Sequence, residues 1–194
     1  MLDEANIVQQ LSDLKHRIFP RPFERLAIKG EELTGCEIGV YKGNHSESLL
    51  KSSSIKKLYL IDPYDMYDSY VEGHAHYGVD QVPLSEAQKE AIDRLSEFCD
   101  KIVWLNLTSD VACKKITEQL DFVYIDGNHA YDFVKADIEN YYPLLKSGGI
   151  LGGHDFYNGY CGEHDGVVKA VSEFAVNNNL ALKVELPDWW VVKP

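Results

Sequence analysis

Residues 120–155 read LDFVYIDGNHAYDFVKADIENYYPLLKSGGILGGHD, and the fold is decided there. An apolar run, 120–126, stops at Asp126, a helical stretch follows over about 130–145, and a second run, 148–155, stops at His154-Asp155. Apolar runs too continuous to alternate, joined by a helix, describe parallel strands covered on both faces. The beat extends upstream through GCEIGV (35–40), KLYLID (57–62) and IVWLN (102–106), with helices expected at 45–52, 84–100 and 108–117. Downstream, a helix at about 165–177 precedes ALKVEL (181–186) and the terminal run DWWVVKP. A tight Pro187-Asp188 turn between these last two makes them an antiparallel pair, a mixed edge on a parallel α/β sheet.

The chain has 194 residues, 45% hydrophobic and 26% charged, which fits one domain over 1–194 with residues 1–34 as a helix and lead-in. Ile7, Leu11, Leu14 and Ile18 place that helix at about 3–18. Nineteen basic against 31 acidic residues give a net charge of −12, which repels a nucleic-acid backbone and argues against that partner. No apolar run is long enough for a bilayer, so no membrane partner is expected. The acidic start MLDEANIVQQ is unlike a secretory signal, and four scattered cysteines without a C-x-x-C pair suit a reducing compartment, with the cytoplasm as the expectation. Residues 63–83 carry Tyr64, Tyr67, Tyr70 and Tyr77 with His74 and His76 and no period of 2 or 3.6. A connection of that kind is either a lid or a surface loop used in a homo-oligomer contact.

The first chemical candidate is EIGVYKG, Glu37 to Gly43. Glycines allow a tight turn and close backbone approach. The dinucleotide pattern G-x-G-x-x-G is not met, because Glu37 and Lys42 stand where glycines would be needed. A carboxylate in the turn suits a cationic ligand rather than a pyrophosphate. Asp62 closes the next strand 23 residues beyond Gly39, where an acid binds both hydroxyls of a ribose. Its plainer alternative is a helix cap or a solvated strand end.

Three segments together, EIGVYKG, LYLIDPY and the 120–156 stretch, resemble class I S-adenosylmethionine-dependent methyltransferases. Within them the chain is similar to the small-molecule O-methyltransferase branch near macrocin O-methyltransferases and cephalosporin-hydroxylase-like proteins. The most specific piece is I-D-G-x-H-x-Y-x-x-V-x-x-D, filled by Ile125, Asp126, Gly127, His129, Tyr131, Val134 and Asp137. The resemblance implies a Rossmann-like, seven-stranded, mostly parallel sheet with one antiparallel edge strand and S-adenosylmethionine across its carboxyl edge. It puts Glu37 and Gly39 by the methionine portion, Gly43 at the start of a helix, Asp62 on the ribose, Ser109 at the adenine and Asp126 beside the methyl-transfer centre. Asn44-His45-Ser46 replaces the family's usual G-S-T-like segment.

A second constellation joins Asp126, His154 and Asp155 at two strand ends. Related O-methyltransferases hold a divalent cation there, and a cation lowers the pKa of a bound hydroxyl. The imidazole disfavours magnesium and leaves manganese, iron, zinc or no metal at all. Without a metal, His154 or His129 is the base that deprotonates a hydroxyl acceptor; His129 is alternatively a helix cap. His45, His74, His76 and His164 have no supporting spacing. Tyr157 and Tyr160 are placed to stack on a sugar or aromatic acceptor, and Trp189 and Trp190 to pack the last strand. The expectation is methyl transfer to a small hydroxyl compound. The alternatives are an NAD-binding oxidoreductase of Rossmann type, or a catalytically silent cofactor-binding or assembly protein.

Overall fold

The computed structural model describes residues 18–65, 83–156 and 165–194. The expected helix at 3–18, nearly all of the 63–83 loop, and Tyr157 and Tyr160 lie outside them. Seven strands form one sheet: β1 (Leu33–Ile38), β2 (Ile55–Ile61), β3 (Ile102–Leu105), β4 (Leu120–Ile125), β5 (Leu145–Gly153), β6 (Lys183–Glu185) and β7 (Asp188–Val192). Their spatial order is β3-β2-β1-β4-β5-β7-β6. The first five run parallel, and β7 runs antiparallel to both β5 and β6, so the reversed strand of the mixed edge sits one place in with β6 outermost.

Register sets where the site falls. Ile38 pairs with both Ile61 and Ile125, Ile61 with Leu105, and Ile125 with Gly153. Five strands therefore end level, and the residues just after them, Gly39, Asp62, Asn106, Asp126 and His154, share one edge. Strand order reverses between β1 and β4, the crevice where open α/β sheets bind ligands.

Among the described residues five α-helices cover the sheet: α1 (Asn44–Ser52), α2 (Leu84–Arg94), α3 (Ser109–Ala112), α4 (Tyr131–Tyr141) and α5 (Asp165–Asn177). Alternation along β4 divides the core. Val123 and Ile125 face Val134, Ile138 and Val171 of α4 and α5, together with Trp189. Phe122 and Tyr124 face Leu49 and Leu50 of α1, Ala87 and Ala91 of α2, and Trp190. Both tryptophans are core residues, as their place on the terminal strand suggested.

Three helices are shorter than the sequence suggested. The 84–100 segment leaves α-geometry after Arg94 and ends in a 3-10 turn, Ser96–Phe98. The 108–117 segment is one α-turn running into a 3-10 turn, Cys113–Lys115. α4 stops at Tyr141 because Pro143 cannot donate the next backbone bond, and β5 starts earlier than expected, at Leu145. The lead-in contains a single π-helical turn, Phe23–Ala27. Its Phe23 fills the space above Gly152, where any Cβ would strike the ring. Among the described residues no helix is long and apolar enough to cross a membrane.

Candidate active site

At the end of β1, Gly39 takes φ +86°, and a Cβ there would run into the carbonyl of Asp126. This glycine is demanded by β4, its neighbour. The chain then turns through Val40 and Tyr41 to Gly43, which caps α1 in the left-handed region. Asp62 organises the turn: its Oδ2 accepts the N–H groups of Val40 (3.0 Å) and Tyr41 (2.9 Å), and its Oδ1 accepts that of Tyr64 (2.9 Å). Burial raises the Asp62 pKa, and the three backbone donors only partly oppose it. A carboxylate offers about four lone-pair positions, so three bonds leave room for one more donor.

Glu37 lies beneath this turn, 1% exposed, and its two oxygens are already held. Oε1 is 2.8 Å from His45 Nδ1 and Oε2 accepts the Ser46 hydroxyl. His45 Nε2 is in turn 3.2 Å from Glu24 Oε1. Glu24 also accepts the hydroxyls of Ser48 (2.7 Å) and Ser52 (2.8 Å). Burial and Arg21 push the His45 pKa down, but the two carboxylates prevail and raise it. Glu37, expected against a ligand's cationic portion, faces α1, where its oxygens meet the His45 ring and the Ser46 hydroxyl. Ser109, expected at the adenine, opens α3; its hydroxyl bonds Asp137 and its carbonyl accepts Tyr141 Oη–H at 2.8 Å. Burial pushes the Asp137 pKa up to about 7, against the pull of the Ser109 bond.

The β4–β5 side is made of charges. Asp126 Oδ2 receives Arg21 Nη1 at 2.7 Å, and the same nitrogen donates to Tyr124 Oη at 2.8 Å. Tyr124 donates onward to Asp188 Oδ1 (2.9 Å), whose Oδ2 accepts the Phe23 N–H (2.9 Å). Asp155, at φ +59°, is reached by His129 Nε2 at 2.9 Å and by His154 Nδ1 at 3.1 Å, both on Oδ2. Burial would raise the Asp155 carboxyl, but the His154 and His129 imidazoles overcome it and hold it well below the usual range. His129 does not cap α4; Asn128 Oδ1 accepts the Ala130 N–H at 3.0 Å instead. Gly166, at the start of α5, lies so close to this turn that a Cβ would strike the His129 carbonyl.

Asp126, His154 and Asp155 each offer one ligand-type atom, all within 4.8 Å of one another, as their strand ends led one to expect. A metal does not fit them as they stand, because the guanidinium of Arg21 already binds Asp126. The sequence reading missed Arg21, Glu24 and the use of His45. A charged residue between two prolines, Pro20-Arg21-Pro22, was the available signal for the first.

A family model described as a methyltransferase domain matches residues 36–156. An uncharacterized protein of Acanthamoeba polyphaga mimivirus is 26% identical over 162 residues, 78% of this chain and 69% of that protein. Among solved structures, a putative caffeoyl-CoA O-methyltransferase from Staphylococcus aureus superposes with TM-score 0.64 at 14% identity, covering 99% of this chain and 93% of that one. The N-methyltransferase NodS from Bradyrhizobium japonicum WM9 gives 0.56 at 16% identity, covering 100% and 99%. These structures share the overall fold, and the sequence match spans the turn after β1, Asp62, Asp126 and the His129–Asp155 cluster. The chain belongs to this methyltransferase-domain family.

Proposed function

We propose that the protein transfers the methyl group of S-adenosylmethionine to a hydroxyl of a small-molecule acceptor, with His129 as the general base. The observation that carries this reading is the His129–Asp155 pair at the level edge of the sheet. His129 is partly exposed and its Nε2 lies 2.9 Å from an ionised carboxylate. A partly exposed imidazole paired with a carboxylate is a suitable group to take a hydroxyl proton. His154 is buried, with 2% of its side chain exposed, and its role is to hold Asp155.

The donor set of the edge fits the cofactor. S-adenosylmethionine, when bound, supplies an electrophilic methyl on a sulfonium. A cationic nucleoside with a free diol suits carboxylates at strand ends, and the turn after β1 has no glycine-rich cradle for phosphate. Asp62 would hold the ribose while clamping the turn, Gly39 lets the turn approach β4, and Gly43 starts α1. Ser109 would border the adenine from a position fixed by Asp137 and Tyr141. Glu37 would act through α1, as a positioning residue for the turn. Asp126 would lie beside the transfer centre, its charge balanced by Arg21. Two buried donors of this region, Arg21 Nε and Asn128 Nδ2, have no hydrogen-bond partner among the described residues, leaving polar capacity for an acceptor.

The neighbours' own chemistry does not decide the acceptor, since O- and N-methyltransferases and an rRNA methylase share the fold. A net charge of −12 favours a small acceptor over RNA. Calorimetry with S-adenosylhomocysteine and, separately, NAD tests the cofactor; tighter binding of NAD would overturn it. A screen of hydroxyl compounds with methyl-labelled cofactor tests the reaction. Cofactor binding without turnover on any acceptor would point to a silent binding or assembly protein.

A further inference from the structure

The Asp126, His154 and Asp155 atoms are close enough together to chelate a divalent ion, yet one of the three already has a cation of its own. Arg21 comes from the lead-in, upstream of the family-matched segment, and reaches Asp126 across 105 positions of sequence. It is 7% exposed and is held from several sides. Nη1 bridges Asp126 and Tyr124, and the guanidinium lies 5.4 Å from the Phe19 ring centroid and 5.7 Å from that of Tyr124. The chain around it is fixed as well, through the Arg21 N–H on Glu24 (3.1 Å) and the Phe23 N–H on Asp188. A side chain so placed cannot swing aside to admit an ion, and a second positive charge on Asp126 would meet the first at close range in a poorly solvated site.

We propose that Arg21 is the resident cation of this site. Its guanidinium neutralises Asp126, closes the Asp126–His154–Asp155 cluster to divalent metal, and leaves deprotonation of the acceptor to His129. The inference rests on the proposed reading of this edge as the acceptor side, but its charge component stands apart from catalysis. Arg21 is thereby a positioning residue whose charge substitutes for a metal's.

The test is a titration of the free protein with manganese and, separately, zinc, read by calorimetry and by the shift of thermal unfolding, with no cofactor or acceptor present. The parent protein is expected to show no saturable binding at micromolar metal. Arg21→Ala is expected to bind manganese at least tenfold more tightly than the parent, and Arg21→Ala/Asp126→Asn to lose that gain. Arg21→Lys, which keeps the charge, should stay closed. Where Arg21→Ala does not fold by circular dichroism, Arg21→Gln removes the charge and keeps a donor for Tyr124, with the same expectation. Micromolar binding by the parent that Asp155→Asn abolishes would overturn the proposal, and so would a folded, uncharged variant with no gain in affinity. Turnover is read separately. If the metal results hold and no methyl transfer is found, the catalytic reading fails while the charge assignment stands; chelator-insensitive turnover supports both.

Discussion

On the β1–β2 side of the edge the strand-end carboxylate accepts backbone N–H groups, whereas on the β4–β5 side the carboxylates pair with side chains. Asp62 takes two amides of the turn after β1 and one from its own segment after β2. Asp126 and Asp155 take a guanidinium and two imidazoles that arrive from the lead-in, from the turn before α4 and from the end of β5. An acid bound to amides cannot be retuned by a substitution elsewhere, because every residue supplies the same amide. An acid bound to side chains can be retuned one partner at a time. The first arrangement suits an invariant ligand and the second an acceptor that differs between relatives.

The contrast is open to direct attack. His129→Ala should lower turnover by about 10²–10⁴-fold, the range for a lost general base, with cofactor affinity little changed and stability lower by about 1–3 kcal/mol because buried Asp155 loses one partner. Rates and unfolding curves measured on the same preparation check this, and a collapse of stability instead would erase the distinction. Gly39→Ala should do the reverse. It combines a positive φ with a collision against the Asp126 carbonyl, at a cost of about 3 kcal/mol or more, or outright failure to fold in urea titrations.

Asp62→Ala should show both signatures. Loss of hydrogen bonds to a charged group would cost about 1.5–3 kcal/mol of S-adenosylhomocysteine affinity, and the orphaned amides would lower stability as well. Asp62→Asn, with one acceptor left, should be milder in both. Loss of stability at unchanged affinity would make Asp62 a turn-former alone.

Asp137 adds a third kind of carboxyl, held by a hydroxyl. Its pKa is near 7 when folded and about 3.9 when unfolded, so the folded state binds the extra proton between those values. Stability should therefore fall as pH rises from about 4 to about 7 and level off above. Asp137→Asn should flatten that slope, leaving the variant about 4 kcal/mol more stable than the parent at pH 8 and nearly equal to it at pH 4. Thermal unfolding across that range is the check, and parallel curves for parent and variant would refute it.

The sheet was legible because each buried parallel strand is a short apolar run that stops at a polar residue; Asp62 and Asp126 fall where those runs predicted. Helix ends were less so, since 3-10 turns at Ser96–Phe98 and Cys113–Lys115 carry the same residue types as helix. The cluster of Asp126, His154 and Asp155 could be anticipated because adjacent parallel strands end together. The partners of Arg21 could not, for they lie 103 and 105 positions away and no periodicity connects a lead-in to a strand. Glu37 was recognised as a special acid, but its bonds to His45 and Ser46 were not foreseen. His45, eight positions on, looked like one histidine among several until α1 turned its ring between Glu37 and Glu24.

The Phe23 amide bonds the carboxylate of Asp188, 165 positions later. During synthesis the lead-in leaves the ribosome early, while the strand that receives it is made long afterwards. Until β7 has inserted beside β5, the Phe23 amide and the Tyr124 hydroxyl lack their Asp188 acceptor. A nascent chain holding β1 to β5 carries Asp126 and Tyr124 but not Asp188, the far end of their network. The network around Asp126 is thus complete only when the last strand has been made.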